Sequence, residues 1–200
     1  SDVYKRQALS LSEVMTIVIL FHKSGFRFFK YFYCHMIIPF WKSAFPKLLS
    51  YNRFIEIMPR CLQALSSFFH QVKGEDTGIC IIDSTKLVVC HNLRIKRHRV
   101  FKGLAGRGKS STGWFYGFKV HIVINNLGEI INLKITSGSV HDVAVLESLT
   151  QELKGILLGD KGYLSKAKTE ALAARGLRLL TPSRKNMKNK PIQTCLLYTS

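Results

Sequence analysis

Residues 78–90 read GICIIDSTKLVVC, a glycine followed by an apolar, β-branched run with one acid, Asp83, inside it. Such a run, bounded by Gly78, predicts a buried strand. A shorter stretch of the same texture, GILLGD, occupies residues 155–160 and ends on Asp160. Between them WFYGFKVHIVI (114–124) partly alternates, and the turn Asn125–Gly128 leads into EIINLKITSG (129–138), so residues 115–136 read as a hairpin. HDVAVLESLTQEL (141–153) has the spacing of an amphipathic helix with Val143, Leu146 and Leu149 on one side. SKAKTEALAARG (165–176) predicts a helix ended by Gly176, and LRLLTP (177–182) a final strand. The expected fold is therefore α/β, a mixed sheet of three consecutive strands followed by α-β-α-β crossover units.

The chain before this sheet has a different texture. Residues 8–72 read as a small helical region. LSEVMTIVILFHKSG (11–25) starts after a Ser10 or Ser12 cap and stops at Gly25. The segment 50–72 spaces Phe54, Ile57, Met58, Cys61, Leu62 and Leu65 as a helix does, with a kink before Pro59. A helix-turn-helix-like DNA module and a helical cap on the next domain are both compatible with this region. SDVYKRQ (1–7) and the last ten residues, 191–200, fit no neighbouring periodicity and read as non-native tails. That leaves 73–190 as the main domain.

Charge narrows the partner. Thirty Lys and Arg stand against 12 Asp and Glu, a formal net charge of +18, which points to a polyanion and most simply to nucleic acid. A merely basic surface protein is the bland alternative. The five cysteines form no C-x-x-C pair, which suits free thiols in a reducing cytosol better than disulfides or zinc. The apolar stretch Val14–Phe21 is too short to span a bilayer, so the expectation is a cytoplasmic protein with no membrane partner.

One motif suggests a different class. GLAGRGKS (103–110) satisfies the P-loop expression G-x-x-x-x-G-K-S. A working P-loop needs a buried strand before it and a helix opening at its Lys-Ser, so that backbone amides and helix dipole meet the phosphates. Here the preceding segment, LRIKRHRVFK, is basic, and the following one is aromatic and β-branched. Both flanks fail, and no nucleotide site is expected. GRGKS is read instead as part of the loop joining the first two strands.

Most of the acids sit in helices or linkers and read as solvated surface charges. Asp83 and Asp160 differ, because each follows an apolar strand segment, where a carboxylate is costly to bury unless paired or bound to a cation. Ligands gather at the carboxyl ends of strands in open α/β sheets. A divalent cation relieves the repulsion of two neighbouring carboxylates, and a hard oxygen donor set favours Mg²⁺ or Mn²⁺. The alternative is that each Asp only caps its own turn, Asp83 toward Ser84 and Thr85, Asp160 toward Lys161 and Gly162. No acid lies between Asp83 and Glu129, whereas Arg94, Lys96, Arg97, Arg99, Lys102, Arg107 and Lys109 do. Such a run suits phosphate contact without base reading. Arg184, Lys185, Lys188 and Lys190 form a second basic run. A solvated charged loop is the alternative for both.

The runs IIDSTKL (81–87), GWFYGFKVHIVIN (113–125), GSVHD (138–142) and LLGDKGYLS (157–165) resemble the catalytic core of insertion-sequence DDE transposases, over about Tyr51 to Lys190. The resemblance implies an RNase H-like fold and DNA strand cleavage and transfer. It implies that Asp83 and Asp160 are the first two metal-binding acids, holding two Mg²⁺ (or Mn²⁺) ions, and that copies of the chain assemble on DNA ends and target. His141 and Asp142 match the H-D pair before the crossover helix. Asp142 then lies behind the ligands or against DNA, or is simply a helix N-terminal acid. The family's third acid is a Glu on a helix after the fifth strand, and no acid follows Glu170 here. The resemblance therefore implies a core that lacks a ligand and transposes poorly, with a non-catalytic DNA-binding fragment or regulator as the alternative.

Overall fold

The computed structural model describes residues 9–182. They form two compact units, one ending at Val72 and one beginning at Lys73. Among these residues no helix is long and apolar enough to cross a membrane.

The first unit is helical. Helix α1 (Leu11–Lys23) begins at Ser10, whose backbone N–H donates to Glu13 Oε2 at 2.6 Å while Ser10 Oγ accepts from the Glu13 N–H. This reciprocal cap satisfies donors that the first turn leaves open. Helix α2 (Phe29–Phe32) passes through a π-helical turn (Tyr33–Ile37) into α3 (Ile38–Phe40). Helix α4 (Tyr51–Ile57) meets α5 (Leu62–Val72) across a 3₁₀ turn, Met58–Cys61, at Pro59, which has no N–H for an α-helical ladder. Ile17, Phe32, Tyr33, Ile37 and Phe54 are fully buried in its core.

The second unit is built on one sheet. Its strands are β1 (Ile79–Cys90), β2 (Gly106–Ser110), β3 (Gly113–Asn125), β4 (Ile130–Ser137), β5 (Gly155–Gly159) and β6 (Leu177–Leu180). They lie in the order β2-β3-β1-β5-β6, with β4 also on β3. Strand β3 is antiparallel to β1, while β5 and β6 run parallel to it. Strands β2 and β4 share the outer flank of β3, pairing with residues 113–117 and 118–124 respectively. Helices α6 (Asp142–Leu149) and α7 (Lys166–Ala174) are the crossovers between β4, β5 and β6. The mixed α/β sheet and its α-β-α-β half are thus as the sequence implies.

Strand β1 runs on past Asp83 to Cys90, as the run 78–90 predicts. Two details differ. GRGKS is strand β2, not loop. On α6 the buried residues are Val145, Leu146 and Leu149; Val143 is only half-buried.

Register is pinned at the start of the sheet by Asp76. Its Oδ1 accepts from the Gly78 N–H and its Oδ2 from the Lys154 N–H, each at 2.8 Å, so one carboxylate aligns the chain entering β1 with the chain entering β5. Burial alone raises its pKa, but the two backbone donors and the Cys80 thiol together outweigh that and hold the carboxyl below its ordinary value. Helices α6 and α7 cover one face of the sheet, where Ile82, Val123, Leu146, Leu157, Leu172 and Leu177 close the core. The other face carries Ile79, Ile81, Leu133, Ile135 and Leu158, each 38–57% exposed. Apolar residues on both faces explain the unbroken runs GICII and GILLG, because parallel strands are ordinarily covered on both sides.

The glycines of the P-loop-like segment serve packing. A Cβ on Gly108 would lie 2.2 Å from the Gly138 carbonyl oxygen and 2.8 Å from the Phe115 ring. Strand β2 therefore reaches the turn after β4 only because residue 108 has no side chain. We expect Gly108→Ala to destabilise this unit by about 1–3 kcal/mol, the usual cost of overpacking. Urea unfolding checks this, and an unchanged midpoint contradicts it.

Candidate active site

The last parallel pair between β1 and β5 is Ile82 with Gly159. Asp83 and Asp160 are the next residues on each strand, so the register delivers both carboxylates to one place. Both line a cleft of about 310 Å³. Each also has one oxygen tied to the next backbone N–H, Asp83 Oδ1 accepting from Ser84 within β1 at 2.7 Å and Asp160 Oδ1 from Lys161 at the start of a 3₁₀ turn at 2.6 Å. The turn-capping alternative therefore holds for Asp160 and not for Asp83, and each bond uses one oxygen and leaves the other Oδ for a ligand. Neither carboxylate forms a salt bridge among the described residues.

Asp142, at the start of α6, lines the same cleft. Its Oδ1 lies 3.0 Å from Lys119 Nζ, which also donates to the Val140 carbonyl at 3.0 Å. Gly162 permits this approach, because a Cβ there would sit 2.8 Å from Asp142 Oδ2. His141 is exposed at the helix cap and its side chain makes no capping bond.

Behind Asp142 lies a buried polar chain. His121 is fully buried on β3, with Nε2 2.9 Å from Thr136 Oγ1 and Nδ1 3.4 Å from the Tyr163 hydroxyl. Its Nδ1 is 3.9 Å from Asp142 Oδ1. Burial pushes the imidazole pKa down; Asp142 opposes this, while Lys119 and Lys134 add to it. Burial raises the Tyr163 phenol far above its ordinary value, and the carboxylates of Asp142, Asp83 and Asp160 push the same way.

The basic residues divide. Lys109 lines the acidic cleft, as do Lys86 and Lys119. Arg94 and Arg97 line a separate depression with His98. Lys96, Arg99 and Lys102 are exposed along the connection from β1 to β2. The Arg107 guanidinium stacks 5.0 Å from the Trp114 ring centre. Arg184, Lys185 and Lys188 lie outside the described residues. Lys86, Lys119, His121 and Tyr163 were not singled out from the sequence. Their signal was faint: Lys119 and His121 are two polar residues on the core-facing register of an otherwise apolar strand.

His121 gives a pH test. The unfolded chain protonates this residue as pH falls through 6.5, the ordinary value, whereas the folded chain resists until its lower pKa is reached. Between the two, unfolding takes up a proton, so stability falls as pH drops and is fully kept above 6.5. Acidification from pH 7.5 to 5 should destabilise the wild type more than His121→Gln in matched melting series. Parallel profiles would contradict the buried neutral imidazole.

Residues 73–196 match the Transposase DDE domain family. Among solved structures, the cryo-EM structure of the piggyBac transposase synaptic complex with hairpin DNA is similar at a TM-score of 0.47 and 13% identity, over 89% of this chain and 41% of that one. No curated protein matches the chain. With more than half of its sequence inside the domain match, the chain belongs to the Transposase DDE domain family.

Proposed function

We propose that this chain serves DNA transposition through metal-dependent cleavage and transfer of DNA strands, with Asp83 and Asp160 holding the divalent ions. The observation that carries the reading is the parallel β1–β5 register, which sets the two carboxylates side by side in one cleft of a strongly basic chain. Among the described residues no group of three or more His, Cys, Asp and Glu is arranged for a metal. Two carboxylates still fit Mg²⁺, which is commonly bound through one or two carboxylates completed by water and substrate phosphates. When bound there, divalent ions supply an activated water or 3′-hydroxyl and charge stabilisation at the leaving 3′-oxygen.

The chain's own groups do the rest on this reading. Asp83 and Asp160 each have one oxygen tied to a backbone N–H, which leaves the other for a cation. Asp142 is balanced by Lys119, which suits it to positioning rather than to binding a cation. Arg94, Lys96, Arg97, Arg99, Lys102, Arg107 and Lys109 neutralise DNA phosphates, and copies of the chain assemble on DNA. On this reading two carboxylates alone bind metal weakly and support slow cleavage. A non-catalytic DNA-binding role is the second reading, favoured by the two-acid set at the cleft, with no three-ligand group among the described residues.

Nicking of supercoiled plasmid in Mn²⁺ tests both. Slow nicking reduced to background by Asp83→Ala and by Asp160→Ala is the expected result. Nicking that survives either substitution overturns the assignment, and duplex binding with no nicking at all supports the second reading.

A further inference from the structure

Lys86 on β1 stands directly across from Lys119 on β3, on the same face of the sheet. Like charges in that relation destabilise a sheet unless something compensates them. Lys119 is compensated by Asp142 and by a backbone carbonyl. Lys86 is not: among the described residues no acid forms a salt bridge with it. Its ammonium instead donates to the hydroxyls of Ser110, at 3.5 Å, and Thr112.

Those hydroxyls belong to the tight turn between β2 and β3, which holds itself together. Ser110 Oγ and Thr112 Oγ1 are 3.1 Å apart, and Ser110 Oγ donates to the Gly113 carbonyl at 3.2 Å. The turn thus aims an ammonium with a further N–H donor, beside a Thr hydroxyl, into the cleft that Asp83, Asp142 and Asp160 also line. Because Ser110 donates to the Gly113 carbonyl, Thr112 donates to Ser110, and the donor left over is the third N–H of Lys86, an ammonium held in place to meet an anionic oxygen. A compact anion would meet three carboxylates in the same cleft. A strand of phosphodiesters would not need to, because one phosphate can rest on Lys86 while its neighbour reaches Asp83 and Asp160 with the cations they hold.

We propose that Lys86, held in place by Ser110 and Thr112, forms a phosphate-oxygen subsite for a DNA strand lying through the acidic cleft, gripping the phosphate adjacent to the one that reacts. The subsite rests on the reading of the cleft as a DNA-cleaving centre, and it accounts for the packing of β2: the glycine-rich strand delivers the hydroxyl turn to Lys86.

The test is fluorescence anisotropy of a labelled 16-nucleotide single strand against the full chain over a range of salt concentrations, without divalent metal. Lys86→Gln should weaken binding several-fold and lower the slope of log K against log salt by about 0.7, one phosphate contact on a single strand. Ser110→Ala with Thr112→Val should weaken binding and leave the slope unchanged, because no charge is lost. Lys86→Arg should retain most of the affinity. Thermal melting confirms that each variant folds. Lys154→Gln, on the exposed segment before β5, controls for charge alone. Equal losses for Lys86→Gln and Lys154→Gln overturn the subsite, as does an unchanged affinity in Lys86→Gln. Inorganic phosphate that displaces the strand at matching affinity makes this a free-anion site and also overturns it. A wild-type chain that binds no strand at all contradicts the DNA reading itself, a separate outcome.

Discussion

Parallel pairing of β1 with β5, from Ile79–Ile156 to Ile82–Gly159, is the constraint from which the acidic cleft follows. The two acids stand far apart in sequence, and neither strand alone gives either of them a neighbour. Once the strands are in register, the residue after the last pair on each is an Asp. A slip of one residue would turn every side chain to the other face and separate the acids. Asp76 opposes that slip by holding the backbone at Gly78 and Lys154 with the two oxygens of one carboxylate.

Around the pair, like charges are managed rather than avoided. Asp142 is held close by Lys119, and Gly162 lets the turn after Asp160 pass beside it. His121, Thr136 and Tyr163 form the buried backing of that arrangement, and burial keeps the imidazole in its neutral form. On the proposed reading, Asp83 and Asp160 would hold cations while Lys86 and Lys109 meet the strand, so the cleft presents both signs that a metal-dependent phosphodiester reaction needs.

Much of this was legible in the residue pattern. GICII and GILLG were legible as strands because each is a short apolar run opened by a glycine, too brief for a buried helix, and the acids that follow them stood out against that background. Strand β2 was invisible for the opposite reason. Its glycines carry no β-propensity, and their purpose, close approach to Gly138 and Phe115, exists only once β3 and β4 are folded. Asp76 looked like a linker charge, since its partners are backbone groups 2 and 78 residues away. Lys86, Lys119, His121 and Tyr163 share that difficulty, because each acquires its role from a cross-strand or cross-sheet neighbour.

Electron paramagnetic resonance of Mn²⁺ titrated into the full chain tests the central claim, that the β1–β5 register builds a divalent-cation site. The account predicts weak, saturable binding that is lost in both Asp83→Asn and Asp160→Asn but kept in Asp142→Asn. Binding that is indifferent to Asp83 and Asp160, or that depends on Asp142 instead, would contradict it.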